Sequence, residues 1–291
     1  MKRYFALILM FFVAASCFAQ QERALKRKVA IGRFSNETQY AKSVFYDKDN
    51  DPMGKQASDI LSAKLASSDK FLLIERQDID KIAAEINIGG GISQKIGADY
   101  LIIGSITEYG RKTIGNQKVF SSSKEQIVEA AVSIRLVDVS TGLIIFSGEA
   151  KGEATAEDKR VMGFGKSADF DATLSDKAIS AAITKLVENI INKCTDSPWR
   201  AYLLSVEDGI YIISGGASQG IKAGDTFKVT ERGKQVKNPQ TGLMIELPGK
   251  VVATLKISQT MGSTPQDEIS LASVIEGSID ASNLGKYYIN E

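Results

Sequence analysis

The spacing of apolar residues in this 291-residue chain changes near Trp199. Before Trp199, strand-like apolar runs are separated by segments in which apolar residues recur every three or four positions, the period of a helix. After Trp199, only short apolar runs occur, and glycines separate them. The change predicts two domains: an α/β (α+β) domain with a mixed sheet and flanking helices over residues 28–194, and a small all-β, barrel-like domain over 199–291.

The first domain is expected to alternate strands and helices. Ser140-Thr141-Gly142 predicts a turn, after which the chain returns from residue 143 as the second strand of a long antiparallel hairpin. Leu174-Ser175 is expected to cap the last helix, and Pro198 follows the end of that helix. Residues 111–127 are polar and predict weak structure. Strands are predicted at 28–34, 71–74, 100–106 and 128–139, and helices at 53–68, 77–86 and 175–194.

The second domain is expected to contain only strands and turns. Its apolar runs are short, and glycine recurs between them at positions that suit tight turns. This spacing is typical of a small barrel or sandwich. Strands are predicted at 202–206, 209–213, 226–229 and 251–257.

The first residues have the composition of an export signal. Lys2 and Arg3 precede an almost unbroken apolar run from Tyr4 to Ala15. This run is too short for a membrane-spanning helix, which needs about 20 apolar residues, and small residues follow it. Residues 1–19 are therefore predicted to be a signal peptide that is removed, and residues 20–27 a polar linker.

Two cleavage sites are open. Ala14-Ala15-Ser16-Cys17 fits a relaxed lipobox, in which Cys17 becomes a lipidated N-terminus that anchors the protein to a membrane. Cys17-Phe18-Ala19 fits an ordinary small-x-small site, which leaves the protein free in the periplasm. The lipobox lacks its preferred leucine, so ordinary cleavage is favoured. The other cysteine, Cys194, is interpreted as a small hydrophobe near a helix end, and no internal disulfide is expected.

The side chains that most often carry out catalysis are missing from this sequence. The chain contains no histidine and only two cysteines. This removes the commonest general base and excludes Ser-His-Asp and Cys-His arrangements. We therefore predict no enzymatic activity, no catalytic or cofactor-binding residues, no metal site and no cofactor. The net charge of +1 gives no general attraction for nucleic acid, so none is expected as a partner.

Two local patterns resemble binding motifs and have simpler interpretations. Asp47-Lys48-Asp49-Asn50-Asp51 resembles the start of a calcium loop, but Pro52 stands where glycine is required and Ser58 where a bidentate glutamate is required. A solvated acidic loop is the favoured interpretation, and weak calcium binding is the alternative. Gly89-Gly90-Gly91 follows a predicted helix and lacks the remaining residues of a phosphate loop, so it is interpreted as a helix stop.

Two further groups of residues have both a functional and a structural interpretation. Glu75-Arg76 and Asp78 follow a strand directly, and a capped helix start with a local ion pair is preferred to a functional pair. Trp199 and Tyr202 lie at the predicted domain junction. They are expected to pack the interface rather than bind a sugar or peptide, although aromatic side chains can do both.

Four stretches of the first domain resemble the curli production assembly/transport component (CsgG-like) family, in matching order and spacing. The Glu-Arg-Gln and Val-Ser-Thr-Gly pieces are the more specific ones, and the resemblance covers about residues 28–194. The stretches are 29–38 (VAIGRFSNET), 74–79 (IERQDI), 98–106 (ADYLIIGSI) and 137–142 (VDVSTG).

This resemblance implies a nucleotide-binding-like α/β fold without a nucleotide site, in the periplasm or at the outer membrane. Some members of the family form oligomeric pores that export amyloid subunits, and others resemble envelope accessories that share only the periplasmic domain. The tail over 201–291, with Gly220-Ile221-Lys222-Ala223-Gly224-Asp225, resembles the C-terminal domain of flagellar assembly protein T.

The predicted function is that of an exported, non-enzymatic envelope protein in outer-membrane-associated secretion or in curli-like surface assembly. Its expected partners are envelope proteins and copies of itself. An oligomeric outer-membrane secretion channel and a cell-wall or ligand-binding periplasmic module are the alternatives. Residues 111–127 and 148–173 are the two segments that a channel would insert. Their alternating faces are mainly polar or carry small residues, although Met162, Phe164 and Phe170 add some apolarity; this favours solvated hairpins over membrane spans.

Overall fold

The computed structural model describes residues 25–39, 51–76, 78, 82, 97–118, 121–161, 173–196, 198–237, 239–240, 244–265 and 267–291. The predicted signal peptide with Cys17, the start of the linker, Asp47 to Asn50, most of the helix expected at 77–86 and the Gly89-Gly90-Gly91 stop lie outside the described residues. Among the residues that are described, no helix is both long and apolar enough to cross a bilayer.

The first sheet is mixed, as the sequence predicts. Its five strands lie in the order β2-β1-β3-β4-β5, with β1 parallel to both β2 and β3, and β3, β4 and β5 antiparallel to one another. Two helices contact each other and pack on this sheet, α1 against β1 and α2 against β4 and β5. The elements are β1 (Arg27–Asn36), α1 (Pro52–Ser67), β2 (Phe71–Ile74), β3 (Tyr100–Lys118), β4 (Ser121–Asp138), β5 (Ile144–Val161) and α2 (Thr173–Asp196).

Asp51 anchors the start of α1. Its Oδ1 accepts a hydrogen bond from the Gly54 N–H at 2.9 Å, and its Oδ2 accepts one from the Asn36 N–H at 2.5 Å. One carboxylate therefore caps the helix and joins it to the end of β1, which satisfies two main-chain donors that would otherwise lack partners. The last aspartate of the calcium-like pattern thus has a structural use.

The start of α2 differs from the expected cap at Leu174-Ser175. The helix begins at Thr173, so both residues lie within its first turn. The Ser175 hydroxyl instead forms a hydrogen bond with the Tyr109 hydroxyl on β3. A serine before an apolar stripe suits a helix cap, but here the Ser175 hydroxyl bonds to a side chain on the neighbouring sheet instead of to the helix backbone.

The prediction of weak structure over 111–127 was wrong. β3 runs on to Lys118 and β4 begins at Ser121, and the two strands pair from Lys118 with Ser121 back to Tyr100 with Asp138, with one register shift between Ile106 and Glu108. The main-chain hydrogen bonds of this pairing hold a strand whose side chains give no burial pattern.

The hairpin turn was predicted correctly: β4 ends at Asp138, and Gly142 has the positive φ of 72° that suits glycine.

The second sheet has seven antiparallel strands in the order β6-β14-β9-β12-β13-β8-β7. Its two outermost strands, β6 and β7, are joined by Tyr202 alone, so the sheet curls back on itself and is nearly closed. A separate hairpin, β10–β11, completes this all-β part. The strands are β6 (Arg200–Ala201), β7 (Leu203–Glu207), β8 (Ile210–Ser214), β9 (Thr226–Glu231), β10 (Gln235–Lys237), β11 (Met244–Glu246), β12 (Lys250–Met261), β13 (Ile269–Gly277) and β14 (Tyr287–Asn290).

The buried apolar side chains form two clusters, one between the helices and the first sheet and one inside the second sheet. Leu25 belongs to the second cluster although it directly precedes the first sheet. The Lys26 N–H donates to the Gln219 carbonyl at 2.8 Å, and the Gln219 side-chain amide donates to the Lys26 carbonyl at 3.3 Å. The last residues of the predicted linker are therefore held between the two sheets. The domain boundary between residues 194 and 199 stays a prediction.

Candidate functional site

The long strands of the first sheet extend beyond its core as a three-stranded ribbon. β1 ends at Asn36, opposite Ile106, and from there β3, β4 and β5 continue without it. We call residues 107–118, 121–131 and 151–161 the ribbon. At about 3.4 Å per residue its β3 strand is about 40 Å long. Its far end joins Lys118 to Ser121 and Ser121 to Val161.

In the middle of the ribbon the β3 side chains are exposed, whereas Gln126 and Val128 of β4 are buried on one face. Residues 111–115 of β3 and residues 124–125 of β4 are exposed. One cross-strand row contains Lys112, Ile127 and Thr155, and the next row, on the other face, contains Thr113, Gln126 and Ala156. A membrane-spanning strand needs an outward apolar band about 25 Å tall. Both of these rows are mainly polar or small, so neither resembles such a band.

The base of the ribbon is fixed to the first turn of α2 by three side chains. The Arg111 Nε donates to the Tyr109 hydroxyl at 2.8 Å, and its Nη2 donates to the Ser175 Oγ at 3.2 Å. The Arg111 guanidinium carbon lies 5.5 Å from the centre of the Tyr109 ring, within the range of a cation–π contact. This contact gives the ribbon a defined direction relative to the helix.

A charged cluster lies on the ribbon beside this base. Lys151 forms an ion pair with Glu108, and the hydrogen bond that Lys151 donates to the Glu108 carboxylate is the main reason that the pKa of Lys151 is raised, with Glu149 and Glu129 adding to it. The cluster borders a cavity of about 490 Å³ that Lys185 of α2 also lines. The residues of this cluster come from three separate strands, so no local sequence pattern identifies it.

Both long edges of the ribbon belong to outer strands. β5 is the last strand of the sheet, and beyond Asn36 the edge of β3 is also outermost among the described residues. Strand edges carry unpaired main-chain N–H and C=O groups that readily pair with another chain. One carbonyl of β5 is covered, because the Lys185 Nζ donates to the Lys151 carbonyl oxygen at 2.6 Å. The ribbon is therefore a candidate surface for pairing with a strand of another molecule.

A cleft of about 330 Å³ lies between the two sheets. Its floor is the end of the first sheet, where Asp99 bridges two neighbours: the Lys28 N–H donates to Asp99 Oδ2 at 2.8 Å, and the Val139 N–H donates to the Asp99 carbonyl at 3.0 Å. Burial raises the pKa of the Asp99 carboxyl above its usual value. The opposite wall is formed by Pro198, Trp199, Arg200 and Tyr202.

The two aromatic residues predicted to pack the junction have different environments. Trp199 is only 2% exposed, and its ring centre lies 5.3 Å from that of Phe227 in the core of the second sheet. Tyr202 is 48% exposed at the rim of the cleft. The packing interpretation fits Trp199, whereas the Tyr202 ring is open to solvent.

The remaining predicted positions have structural surroundings. The Asp78 N–H donates to the Glu75 Oε1 at 3.3 Å, a local contact after β2, and the local ion pair expected there stays a prediction. Cys194 is fully buried on α2, and burial raises the pKa of its thiol to about 12. Within the described ranges, no group of three or more acidic or cysteine side chains is placed to hold a metal ion.

Comparison with known proteins gives one family and several relatives. The sequence model of the family described as curli production assembly/transport component CsgG matches residues 13–224. A candidate lipoprotein of Neisseria meningitidis serogroup B, NMB1126/NMB1164, is 30% identical over 183 residues, which are 62% of this chain and 82% of that protein. Among solved structures, the PelC dodecamer from Paraburkholderia phytofirmans is 18% identical, covers 56% of this chain and 87% of its own, and has a TM-score of 0.28. Lipoprotein GNA1162 from Neisseria meningitidis is 16% identical, covers 59% of this chain and 99% of its own, and has a TM-score of 0.29.

Proposed function

The chain belongs to the curli production assembly/transport component CsgG family, and we propose that it is an exported, non-enzymatic envelope protein that acts through contacts with envelope proteins and with copies of itself. Its role would be outer-membrane-associated secretion or the assembly of surface structures. The observation that supports this most directly is the ribbon, whose two outer strand edges are held in a defined direction by Tyr109, Arg111 and Ser175.

Strand addition at these edges is the mode of contact that the ribbon suits. An added strand gains main-chain hydrogen bonds along the edge, and the side chains on the two faces decide which partner fits. The charged cluster at the base supplies such a selection, because it places Glu108, Glu129 and Glu149 around Lys151. A partner strand with a lysine or arginine opposite these carboxylates would be preferred over an acidic one.

The ribbon favours an accessory over a secretion channel. A channel strand must present an apolar face to lipid, whereas the cross-strand rows at Lys112 and Thr113 are polar. An assembly in which the ribbon stays in water, paired with other strands, avoids transferring these side chains into hydrocarbon. The channel is kept as the alternative because the ribbon has the extended shape that such a role requires.

Cross-linking of cysteine variants in intact cells tests the proposed contact surface. Thr155 lies on β5 within the ribbon and is exposed, so a Thr155→Cys variant places a thiol at the proposed interface. Glu188, exposed on α2, gives a matched control as Glu188→Cys. Both variants carry Cys17→Ala, which leaves buried Cys194 as the only other cysteine. We expect cross-linked species for Thr155→Cys and a monomer band for Glu188→Cys; monomers for both would contradict the proposal.

Location and anchoring need a separate measurement. Fractionation of cells labelled with a lipid precursor compares the native protein with a Cys17→Ala variant. Label that is lost in the variant would assign a lipid anchor to Cys17, and unlabelled protein in the periplasmic fraction would assign ordinary cleavage. Extraction that requires detergent even for Cys17→Ala would support the channel alternative.

A further inference from the structure

The cleft between the two sheets has a rigid floor and an open aromatic rim, and we propose that it binds a saccharide of one or two neutral pyranose rings. Its volume of about 330 Å³ lies at the lower end of the range for small-molecule sites, which begins near ~300 Å³. The cleft exists only because the second sheet packs against the end of the first. The proposal goes beyond contacts made by the ribbon.

The floor is preorganised by main-chain hydrogen bonds. The Asp99 N–H donates to the Lys28 carbonyl at 2.7 Å, and the Asp99 side chain accepts from the Lys28 N–H, so both residues are fixed at the sheet end. At the adjoining turn, Asp138 Oδ1 accepts from the Ser140 N–H at 2.8 Å and from the Thr141 N–H at 3.1 Å. A ligand that enters this cleft meets groups that need little reordering, which lowers the entropic cost of binding.

The charges that a ligand can reach are balanced. Lys28 and Arg200 contribute two positive charges, and Asp99 and Asp138 contribute two negative ones. A fifth charged residue, Arg27, is 5% exposed and donates to the Leu25 carbonyl at 2.6 Å. An anion or a cation would meet a like charge in so small a space. A hydroxyl group both donates and accepts, so a neutral polyhydroxyl ligand can use the basic and the acidic groups together.

Tyr202 provides an exposed ring on an anchored main chain at the rim. Its N–H donates to the Ser214 Oγ at 3.0 Å and its carbonyl accepts from the Ser214 N–H at 2.9 Å, so its main chain is held to β8. A pyranose has one face of C–H groups and a polar edge, and an exposed tyrosine offers a matching apolar face with a polar tip. Arg200 stands beside it with its guanidinium carbon 5.1 Å from the Tyr288 ring centre, which orients its planar set of donors.

The wall of the cleft contains the only tryptophan of the chain, Trp199, which gives a site-specific optical probe. We would titrate the chain from residue 20 to 291 with chitobiose, a neutral disaccharide, and follow tryptophan emission and heat in parallel. The expected result is saturable heat with a Kd below about 1 mM. Tyr202→Ala should weaken binding at least about tenfold, because it removes the exposed ring. Leu204→Ala, which changes an exposed side chain on β7 that does not line the cleft, should leave the Kd unchanged.

Each other outcome overturns the assignment. Absence of heat and of any emission change up to saturating sugar would rule out a saccharide site. Binding that Tyr202→Ala and Arg200→Ala leave unaltered would place the sugar elsewhere. A response to pyrophosphate or to a cationic peptide without a response to chitobiose would assign a charged ligand instead. The purified single chain is sufficient for this titration, so failed cross-linking of the ribbon would not affect its result.

Discussion

Gly152 on β5 lies directly beneath α2, where a Cβ would stand 2.1 Å from the Ala178 carbonyl oxygen and 2.4 Å from the Ala182 nitrogen. Only a hydrogen atom fits at this point. The helix and the ribbon base therefore approach more closely than any residue with a Cβ would allow. This contact sets the position of α2 over β4 and β5. The direction of the ribbon therefore depends on a position that carries no side chain.

Substitution of Gly152 tests this dependence. Gly152→Ala should lower the free energy of unfolding by about 1–3 kcal/mol, because the added methyl group has to displace helix backbone rather than a mobile side chain. Urea denaturation followed by circular dichroism would measure the change. Gly115→Ala is the matched control on the same ribbon, since a Cβ there meets nothing within 4 Å. Equal unfolding midpoints for the two variants would disprove the close contact.

Asp51 is expected to act as a helix cap and not as a calcium ligand. Asp51→Ala should cost about 1–2 kcal/mol, because the N–H groups of Gly54 and Asn36 both lose their acceptor. Asp59→Ala, on the exposed face of α1, should change the free energy of unfolding by less than about 0.5 kcal/mol. Melting curves with and without calcium complete the test: a higher Tm in calcium that Asp51→Ala abolishes would restore the calcium interpretation.

Lys185 is expected to restrain strand pairing at the β5 edge. Its ammonium group covers the Lys151 carbonyl, and edge lysines of this kind oppose uncontrolled association. Lys185→Ala should therefore increase the apparent mass of the purified protein in light scattering, more strongly at higher protein concentration. Lys177→Ala removes a charge of the same sign from an exposed position on the same helix. If both variants associate to the same degree, the lost charge and not the uncovered carbonyl is responsible.

Two aspartates should give stability profiles of opposite sign. Burial raises the pKa of the Asp99 carboxyl above 3.8, so folding favours its protonated form. The stability that this protonated form contributes is fully present below pH 3.8 and is lost as the pH rises through the pKa of the folded state. Asp99→Asn should accordingly raise Tm at pH 7, and the gain over the native protein should shrink toward pH 3. A constant gain across this range would show that the carboxyl is not desolvated.

Asp267, in the turn before β13, should show the opposite behaviour. Hydrogen bonds from Thr264 and Ser263 lower its pKa to about 2, so its contribution is present above 3.8 and is lost as the pH falls toward 2. Asp267→Asn should therefore lower Tm at pH 7, with a difference that shrinks only below about pH 4. Thermal melts of both variants over the same buffer series compare the two signs directly.

The sequence predicted the elements that are buried on one face and missed those that are not. Apart from buried Ala131, the alternation from Val128 to Leu136 and the stripe along α2 place the buried side chains on one side, so periodicity located both. β13 escaped detection because its fully buried positions are Ser270 and Ala272, while its larger residues are only partly buried or, like Ile275, exposed. Ser270 is tolerated there because its hydroxyl donates to the Gly215 carbonyl at 2.8 Å.

The candidate surfaces were harder to predict than the fold. The β3 strand of the ribbon is exposed over residues 111–115, so it has the composition of a loop although pairing with β4 holds it. The cleft joins Asp99 to Arg200 and Tyr202, which are about a hundred residues apart in the chain. Tertiary packing alone brings such groups together, and no local pattern records it.

Cys194 should report the opening of the junction end of α2. It is fully buried, and the pKa of about 12 leaves almost no thiolate at pH 8, so both burial and protonation oppose reaction with a disulfide reagent. In a Cys17→Ala background the native protein should react only as fast as this end of the helix unfolds, with a rate that rises steeply in urea. Trp199→Leu removes the ring that packs on Phe227 and should accelerate this reaction by at least about tenfold. Tyr202→Ala alters only the exposed rim and should leave the reaction rate unchanged. Complete modification of the native chain within seconds at pH 8 would show that the thiol is accessible and that α2 does not end in a packed core.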